Sequence, residues 1–139
     1  NQFVVCASQQ YLEAHGMPDS PDDLTHHNCI INKNIHNSDT WQFRSDNSTQ
    51  NISVSGNFLA NTGGALYRAM LSNLGIAVLP TWFVGEDIEQ GKLQVVLENY
   101  EVNLPAMTDS AIYALYPAGQ YLPPKVRVFI DYLIEKFKV

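Results

Sequence analysis

Residues 61–80, Asn-Thr-Gly-Gly-Ala-Leu-Tyr-Arg-Ala-Met-Leu-Ser-Asn-Leu-Gly-Ile-Ala-Val-Leu-Pro, constrain the fold more than any other part of the chain. A helix start, an amphipathic helix, a glycine stop and an apolar strand ending in proline follow one another without a break. Leu66, Ala69, Met70 and Leu74 fall at helical spacing, Gly75 is positioned to stop the helix, and 76–79 read as a strand covered on both faces. An extended run at 54–60 precedes the unit. The loop at Asn61 and Thr62 therefore falls where the carboxyl end of a strand meets the amino end of a helix. Unpaired backbone N–H groups face outward there and favour small anions.

The remainder reads as an α/β chain. Residues 3–6 form a short apolar strand, and Ser8 is placed to cap a helix through Tyr11, Leu12 and Ala14 that Gly16 ends. Ser20-Pro21-Asp22-Asp23 repeats the start signal, with proline in the first turn and two acids near the positive end of the dipole. Residues 28–32 are an apolar run of strand length, 33–38 a polar loop, and 39–44 an alternating strand around Trp41 and Phe43. The turn formers at 44–50 predict a hairpin returning through 51–54. Pro80 and Thr81 open a helical stretch to Gln90, closed by Gly91, and 93–97 are again strand-like. Residues 98–109 read as linker and 110–116 as a strand. Pro123 and Pro124 pre-set the last helix, where Val126, Phe129, Ile130, Leu133, Ile134 and Phe137 form one apolar stripe.

Composition excludes several classes. The 139 residues carry a net charge of −6 without a cluster of Lys or Arg, which argues against this segment gripping a phosphate backbone. No apolar run approaches the roughly 20 residues of a membrane span, and residues 1–6 lack the basic start of a signal peptide. The first residue is Asn rather than Met, so the chain reads as a piece of something longer. Cys6 and Cys29 are too far apart for a zinc knuckle; they read as buried reduced thiols, with a disulfide as the alternative, which points to the cytoplasm. His15, His26, His27 and His36 show no i, i+4 metal pair with a supporting acid. No Gly-x-Ser-x-Gly elbow occurs and neither thiol has an evident base, so no catalytic residue, cofactor or metal is assigned. Asp22, Asp23, Glu86, Asp87 and Glu89 read as solvated charges.

An ordered series of residues matches a known family. Val5-Cys6-Ala7-Ser8 with Tyr11-Leu12, His15-Gly16, Pro18, Pro21 and Asp23-Leu24, then His27-Asn28-Cys29-Ile30, Trp41 with Phe43, the 61–80 unit, Gly91-Lys92-Leu93, and Tyr113 to Tyr116 followed by Leu122-Pro123-Pro124-Lys125-Val126-Arg127 and Phe129-Ile130-Asp131 resemble the effector-binding domain of LysR-type transcriptional regulators. The resemblance implies a periplasmic-binding-protein-like (type 2) fold. In it two α/β subdomains are joined by two crossing segments, with a small effector between them. It implies a first crossing or hinge strand at 1–8, subdomain II at 9–108, and the second crossing with the last strand and helix of subdomain I at 109–139.

By the same resemblance the function is sensing of a small, anionic metabolite such as an organic acid. DNA would be contacted only through an N-terminal winged helix-turn-helix absent here, in a regulator that is a homo-oligomer and not an enzyme. The effector contacts it implies are Asn61, Thr62, Gly63, Gly64, Ile31, Asn32, Leu79 and Pro80, with Ala7 and Ser8 as hinge residues. Thr62 or Asn61 also fits a plain helix cap, and Asn32 a plain turn residue. With the facing wall absent, the loop would be a half-site. The helix at 65–74 implies a dimer patch of Tyr67 with Met70 or Leu71, whose alternative is that all its apolar positions face the sheet. A transporter's solute-binding protein shares the architecture and is the alternative function; a small α/β enzyme would need acid, base or nucleophile residues converging in the cleft.

Overall fold

The computed structural model describes residues 2–46, 48–107 and 123–136. In chain order these form β1 (Phe3–Ser8), α1 (Gln9–His15), a 3₁₀ helix (Pro21–His26), β2 (Ile31–Asn32), β3 (Thr40–Ser45), β4 (Ser48–Ser53), β5 (Leu59–Ala60), α2 (Gly63–Leu71), β6 (Ala77–Pro80), α3 (Thr81–Glu89), β7 (Leu93–Val96), β8 (Glu101–Asn103), a 3₁₀ turn (Pro105–Met107) and α4 (Pro124–Lys136). Asn1–Asp109 is one compact unit and Ser110–Val139 a second.

In the first unit a sheet runs in the order β4-β3-β8-β1-β6, with β7 also on β1. Val4, Val5 and Cys6 pair antiparallel with Leu79, Val78 and Ala77 of β6, and Ala7 and Ser8 pair with Gln94 and Leu93 of β7. Strand alternation sends Val5 and Ala7 to one face and Cys6 to the other. On the first face they meet Tyr11 and Leu12 of α1, Leu24, and Trp41 and Phe43 of β3. On the second, Cys6 packs with Leu66, Ala69 and Met70 of α2, Val84 of α3, and Leu79. Helices therefore cover β1 and β6 on both faces, which is why residues 3–7 and 77–80 are apolar without interruption.

Local signals set most boundaries. Ser8 accepts a hydrogen bond from the Tyr11 N–H (3.2 Å), and Gly16, at φ +89°, ends α1. Asp23 reaches back to the Ser20 N–H at 2.8 Å in the capping box that opens the 3₁₀ helix. Gly91, at φ +71°, follows α3. In α4 the Val126 and Arg127 N–H groups bond to the Pro123 carbonyl, as a proline-led first turn requires. Its stripe includes half-buried Val126, Ile130 and Leu133 and exposed Phe129 and Ile134, while Phe137 and the strand expected at 110–116 lie outside the described residues.

Several expectations are corrected. The hairpin is tighter than 44–50 suggested: Ser45 pairs with Ser48, and β4 starts three residues before the expected 51. Of the run at 54–60 only Leu59–Ala60 is strand, because at Gly56 the chain presses against residue 29; a Cβ there would sit 2.0 Å from the Cys29 carbonyl oxygen. Likewise 28–32 supplies only β2 and a bridge from Cys29 to Ile76.

Gly75 does not stop α2. The helix ends at Leu71, and Asn73, at φ +62°, is the left-handed residue of a Schellman turn in which the Leu74 N–H bonds to the Ala69 carbonyl and the Asn73 N–H to that of Met70. The stretch 98–109, read as linker, contains β8, whose Val102 pairs with both Phe43 and Phe3. Asp87 is not a solvated charge: it is only 9% exposed, accepts from the Tyr67 hydroxyl at 2.7 Å and faces the Lys92 ammonium at 3.3 Å. Met70, 0% exposed, cannot belong to a surface patch.

Both cysteines are free and fully buried. The Cys6 thiol donates to the Met70 sulfur and the Cys29 thiol to the Leu24 carbonyl, each at 3.6 Å. Burial pushes both thiols up to about 12, so thiolate is scarce at neutral pH. Iodoacetamide at pH 8 should therefore label neither residue in the native chain and both in guanidinium. Labelling of the native chain at the rate of a free thiol would show that the cores are open.

Tyr11 ties α1 to the segment leading into β2. Its hydroxyl accepts from the Asn28 N–H at 3.0 Å and lies 3.3 Å from His27 Nδ1, while its ring stacks on His15 at 4.3 Å. Desolvation, with smaller effects from His15 and His26 that outweigh attraction to Asp23, holds the His27 imidazole below its ordinary pKa of 6.5. The unfolded chain then binds a proton first as pH falls, so the contribution is present above about pH 6.5 and is lost below it. The melting temperature should fall between pH 7 and 5, and His27→Gln should flatten that slope. The slope from Asp23, a carboxyl held low by bonds from Ser20 and Asp19, lies at more acidic pH. An unchanged slope in His27→Gln would remove His27 from the account.

Candidate functional site

Two chain segments lie side by side to place the loop before α2. The Cys29, Ile31 and Lys33 N–H groups bond to the Ser55, Phe58 and Ala60 carbonyls at 3.0, 3.3 and 2.7 Å. On the other edge Ile30 and Ile76 N–H groups bond to Ile76 and Asn28 carbonyls at 2.8 and 3.0 Å. The carboxyl ends of β2 and β5 thus finish together, directly before α2. Sheets of this kind gather ligands at that end.

Asn28 clasps this arrangement. Its side-chain amide donates to Asn57 Oδ1 (2.8 Å) and to the Leu74 carbonyl, and its Oδ1 accepts from the Asn57 N–H at 2.8 Å. One side chain thereby joins the end of α2, the 54–58 segment and β2.

The polar groups at the start of α2 are amides and a hydroxyl. Thr62 is the N-cap: its Oγ1 accepts from the Ala65 N–H at 3.2 Å, leaving the hydroxyl proton available to a ligand. The N–H groups of Gly63 and Gly64 have no acceptor among the described residues. A Cβ on Gly64 would meet nothing within 4 Å, so this flank of the turn is open. On the other flank a Gly63 Cβ would lie 3.5 Å from the Phe83 ring and 4.0 Å from Leu79. Asn61 is held through its carbonyl by the Asn34 amide at 2.7 Å, and Asn32 Oδ1 accepts from the Asn34 N–H at 3.1 Å.

Asn32, Asn61, Thr62, Gly63 and Leu79 are therefore brought together around one helix start. Pro80 follows as the half-buried cap of α3, and the Thr81 hydroxyl beside it is buried without a hydrogen-bond partner among the described residues. Ile31 is placed differently: it faces the Trp41 side of the sheet, and Ile30 faces α2. Ala7 and Ser8 lie inside the first unit, both buried and paired with β7, and Ser8 caps α1.

Ile30, Asn32, Ser38, Trp41, Leu66, Val78 and Leu104 surround a void of about 10 Å³ beneath the loop, the size of one water. Sequence reading passed over Asn34, Ser38, Thr81 and Phe83; Asn34 sits in a run of polar residues whose only local signal is that of a turn.

The arrangement suits binding without chemistry on the ligand. It offers N–H and O–H donors to an anionic or polar group, beside the apolar Leu79 and Phe83. Among the described residues no group of three or more His, Cys, Asp or Glu is placed to hold a metal, and no helix is long and apolar enough to cross a membrane. A larger cavity of about 780 Å³, lined by residues 2–4, 44–46 and 98–103, lies over the polar face of β3 and β8, where Arg44 and Glu101 pair with each other.

Comparison with known proteins gives a consistent result. The family described as LysR substrate binding domain matches residues 1–138. An uncharacterized HTH-type transcriptional regulator of Haemophilus influenzae is 37% identical over 120 residues, 86% of this chain and 40% of that protein. A probable HTH-type transcriptional regulator, LtrA, of Klebsiella pneumoniae is 31% identical over 96% of this chain and 43% of its own length. The chain thus spans about two-fifths of these relatives. Among solved structures, CrgA, a LysR-type transcriptional regulator from Neisseria meningitidis, superposes with a TM-score of 0.75 at 27% identity over 99% of this chain and 45% of that one.

Proposed function

The chain belongs to the LysR substrate-binding-domain family, with the periplasmic-binding-protein-like fold of LysR regulatory domains, and from that premise we propose that it is the effector-sensing domain of a bacterial transcriptional regulator. The effector is a small anionic metabolite of the organic-acid class. The start of α2 supports this reading: two glycine N–H groups without an acceptor among the described residues, a Thr62 hydroxyl with a proton to give, and Asn61 and Asn32 beside them. No bond is made or broken. The effector stabilises one arrangement of the regulator, and the population shift alters how a winged helix-turn-helix elsewhere in the native-length protein meets DNA in the cytoplasm. The regulator acts as a homo-oligomer; on α2 the half-buried Tyr67 and Leu71 are available to such a contact.

A thermal-shift screen of organic acids on the native-length protein tests this reading. At a hundredfold excess over its dissociation constant a true effector adds about 2.7 kcal/mol, several degrees in melting temperature. A screen in which mono-, di- and hydroxy-carboxylates all leave the melting temperature unchanged, while neutral metabolites raise it, would reject the anionic class.

A further inference from the structure

We propose that the reverse face of β2 and β5 carries a second small-molecule site, distinct from the start of α2, that takes a zwitterion with an apolar body, such as an apolar α-amino acid. Four observations converge on it. A cavity of about 450 Å³ opens there between the 33–39 loop and the 54–59 segment, a volume suited to a small ligand. Its floor is apolar, with Ile31 and Val54 buried in the core and Leu59 left 46% exposed. A large aliphatic side chain so placed gains when a ligand covers it.

Its rim carries one cation and one anion, Lys33 and Asp39, and neither makes an ion pair among the described residues. Finally, the wall is built in advance. The Asn34 amide bonds to the Asn61 carbonyl, Ile35 N–H to Asn32, Thr40 N–H to Asn37, the Trp41 indole N–H to Ser38 and Val54 N–H to Asp39. Asn37 turns the loop at φ +52°, a left-handed conformation that asparagine tolerates better than most residues.

The charges fix the ligand class. Lys33 meets a carboxylate, Asp39 an ammonium, and the floor takes the hydrocarbon between them. A simple carboxylate would leave Asp39 uncompensated and a simple amine would leave Lys33 so. Ile31 lines this cavity whereas Asn32 and Thr62 do not, so occupancy here can be tested separately from occupancy at Thr62.

Calorimetric titration of the native-length protein with L-leucine and L-methionine, against 4-methylpentanoate and isopentylamine, tests the proposal. Binding of at least one amino acid is expected, with each single-charge analogue weaker by about two- to fivefold, the range for exposed ion pairs. Lys33→Gln and Asp39→Asn, both at exposed positions, should each weaken the amino acid by a similar factor, and Thr62→Ala should leave it unchanged. The proposal is overturned if neither amino acid binds at 20-fold the concentration that saturates typical metabolite sites, roughly 20 mM. It is equally overturned if the analogues bind as well, or if binding survives both charge changes. Loss through Thr62→Ala alone would place the amino acid at the start of α2 and also overturn it.

Discussion

Gly75→Ala is expected to destabilise the chain by about 3 kcal/mol or more, a large fraction of the roughly 5–15 kcal/mol that holds an ordinary domain folded. The added Cβ would lie 2.1 Å from the Asn28 carbonyl oxygen and 3.1 Å from its carbon. Neither backbone can yield cheaply, because that same carbonyl accepts the Ile76 N–H at 3.0 Å and Ile76 in turn accepts from Ile30 at 2.8 Å. Moving Gly75 away would break the bonds that place β2 beside β6, and with them the position of Asn32. Gly64→Ala is the matched control. Its Cβ would meet nothing within 4 Å, and a helical glycine replaced by alanine gains roughly 0.5–1 kcal/mol. Urea denaturation of both variants measures the contrast. Equal midpoints would mean that residues 28 and 75 are not in contact.

Trp41→Ala should cost about 3–5 kcal/mol, the range for deleting a large buried aromatic. Trp41 is 1% exposed, sits among Leu24, Phe43 and Ile52 on one face of the sheet, and its indole N–H donates to the Ser38 carbonyl at 3.1 Å. Two terms are separable. Trp41→Phe keeps most of the apolar contact but leaves Ser38 without its donor, so its smaller cost, about 1–3 kcal/mol, reports that bond together with the volume lost. The same substitution should loosen the 33–39 loop. Faster hydrogen exchange at residues 35–40 in Trp41→Phe, with β1 unchanged, is the expected pattern; uniform acceleration would instead indicate that only global stability fell.

What could be read in the sequence was what the sequence encodes within a few residues. Ser8 and Gly16 bracket α1, the Ser20 and Asp23 box opens the 3₁₀ helix, Gly91 follows α3, and Trp41 and Phe43 alternate into the core, each through bonds or spacings shorter than one helical turn. Thr62 as the cap of α2 belongs to the same class.

What could not be read depends on partners far along the chain. Gly56 and Gly75 exist for their approach to residues 28 and 29, which no local signal announces, so the first was read as strand and the second as a helix stop. Residues 101–103 have weak strand character of their own and become β8 by lying between β3 and β1. Asp87 reads as one surface acid among several until Tyr67, twenty positions earlier, is found on it. At the site the start of α2 was legible from its cap and glycines. Asn34 was not, since its role is to hold Asn61, 27 residues later.

The most direct test of the account is a calorimetric titration of the native-length regulator with the organic acid that gives the largest thermal shift, in wild type, Thr62→Ser and Thr62→Ala. Thr62→Ser keeps both the cap and the donated proton and should bind within about threefold of wild type. Thr62→Ala loses both; it should sacrifice roughly 1 kcal/mol of stability and bind about tenfold or more weakly, as expected for one lost hydrogen bond to a charged group. Undiminished binding by Thr62→Ala, in a variant shown by its melting curve to be folded, would contradict the assignment of the effector to the start of α2.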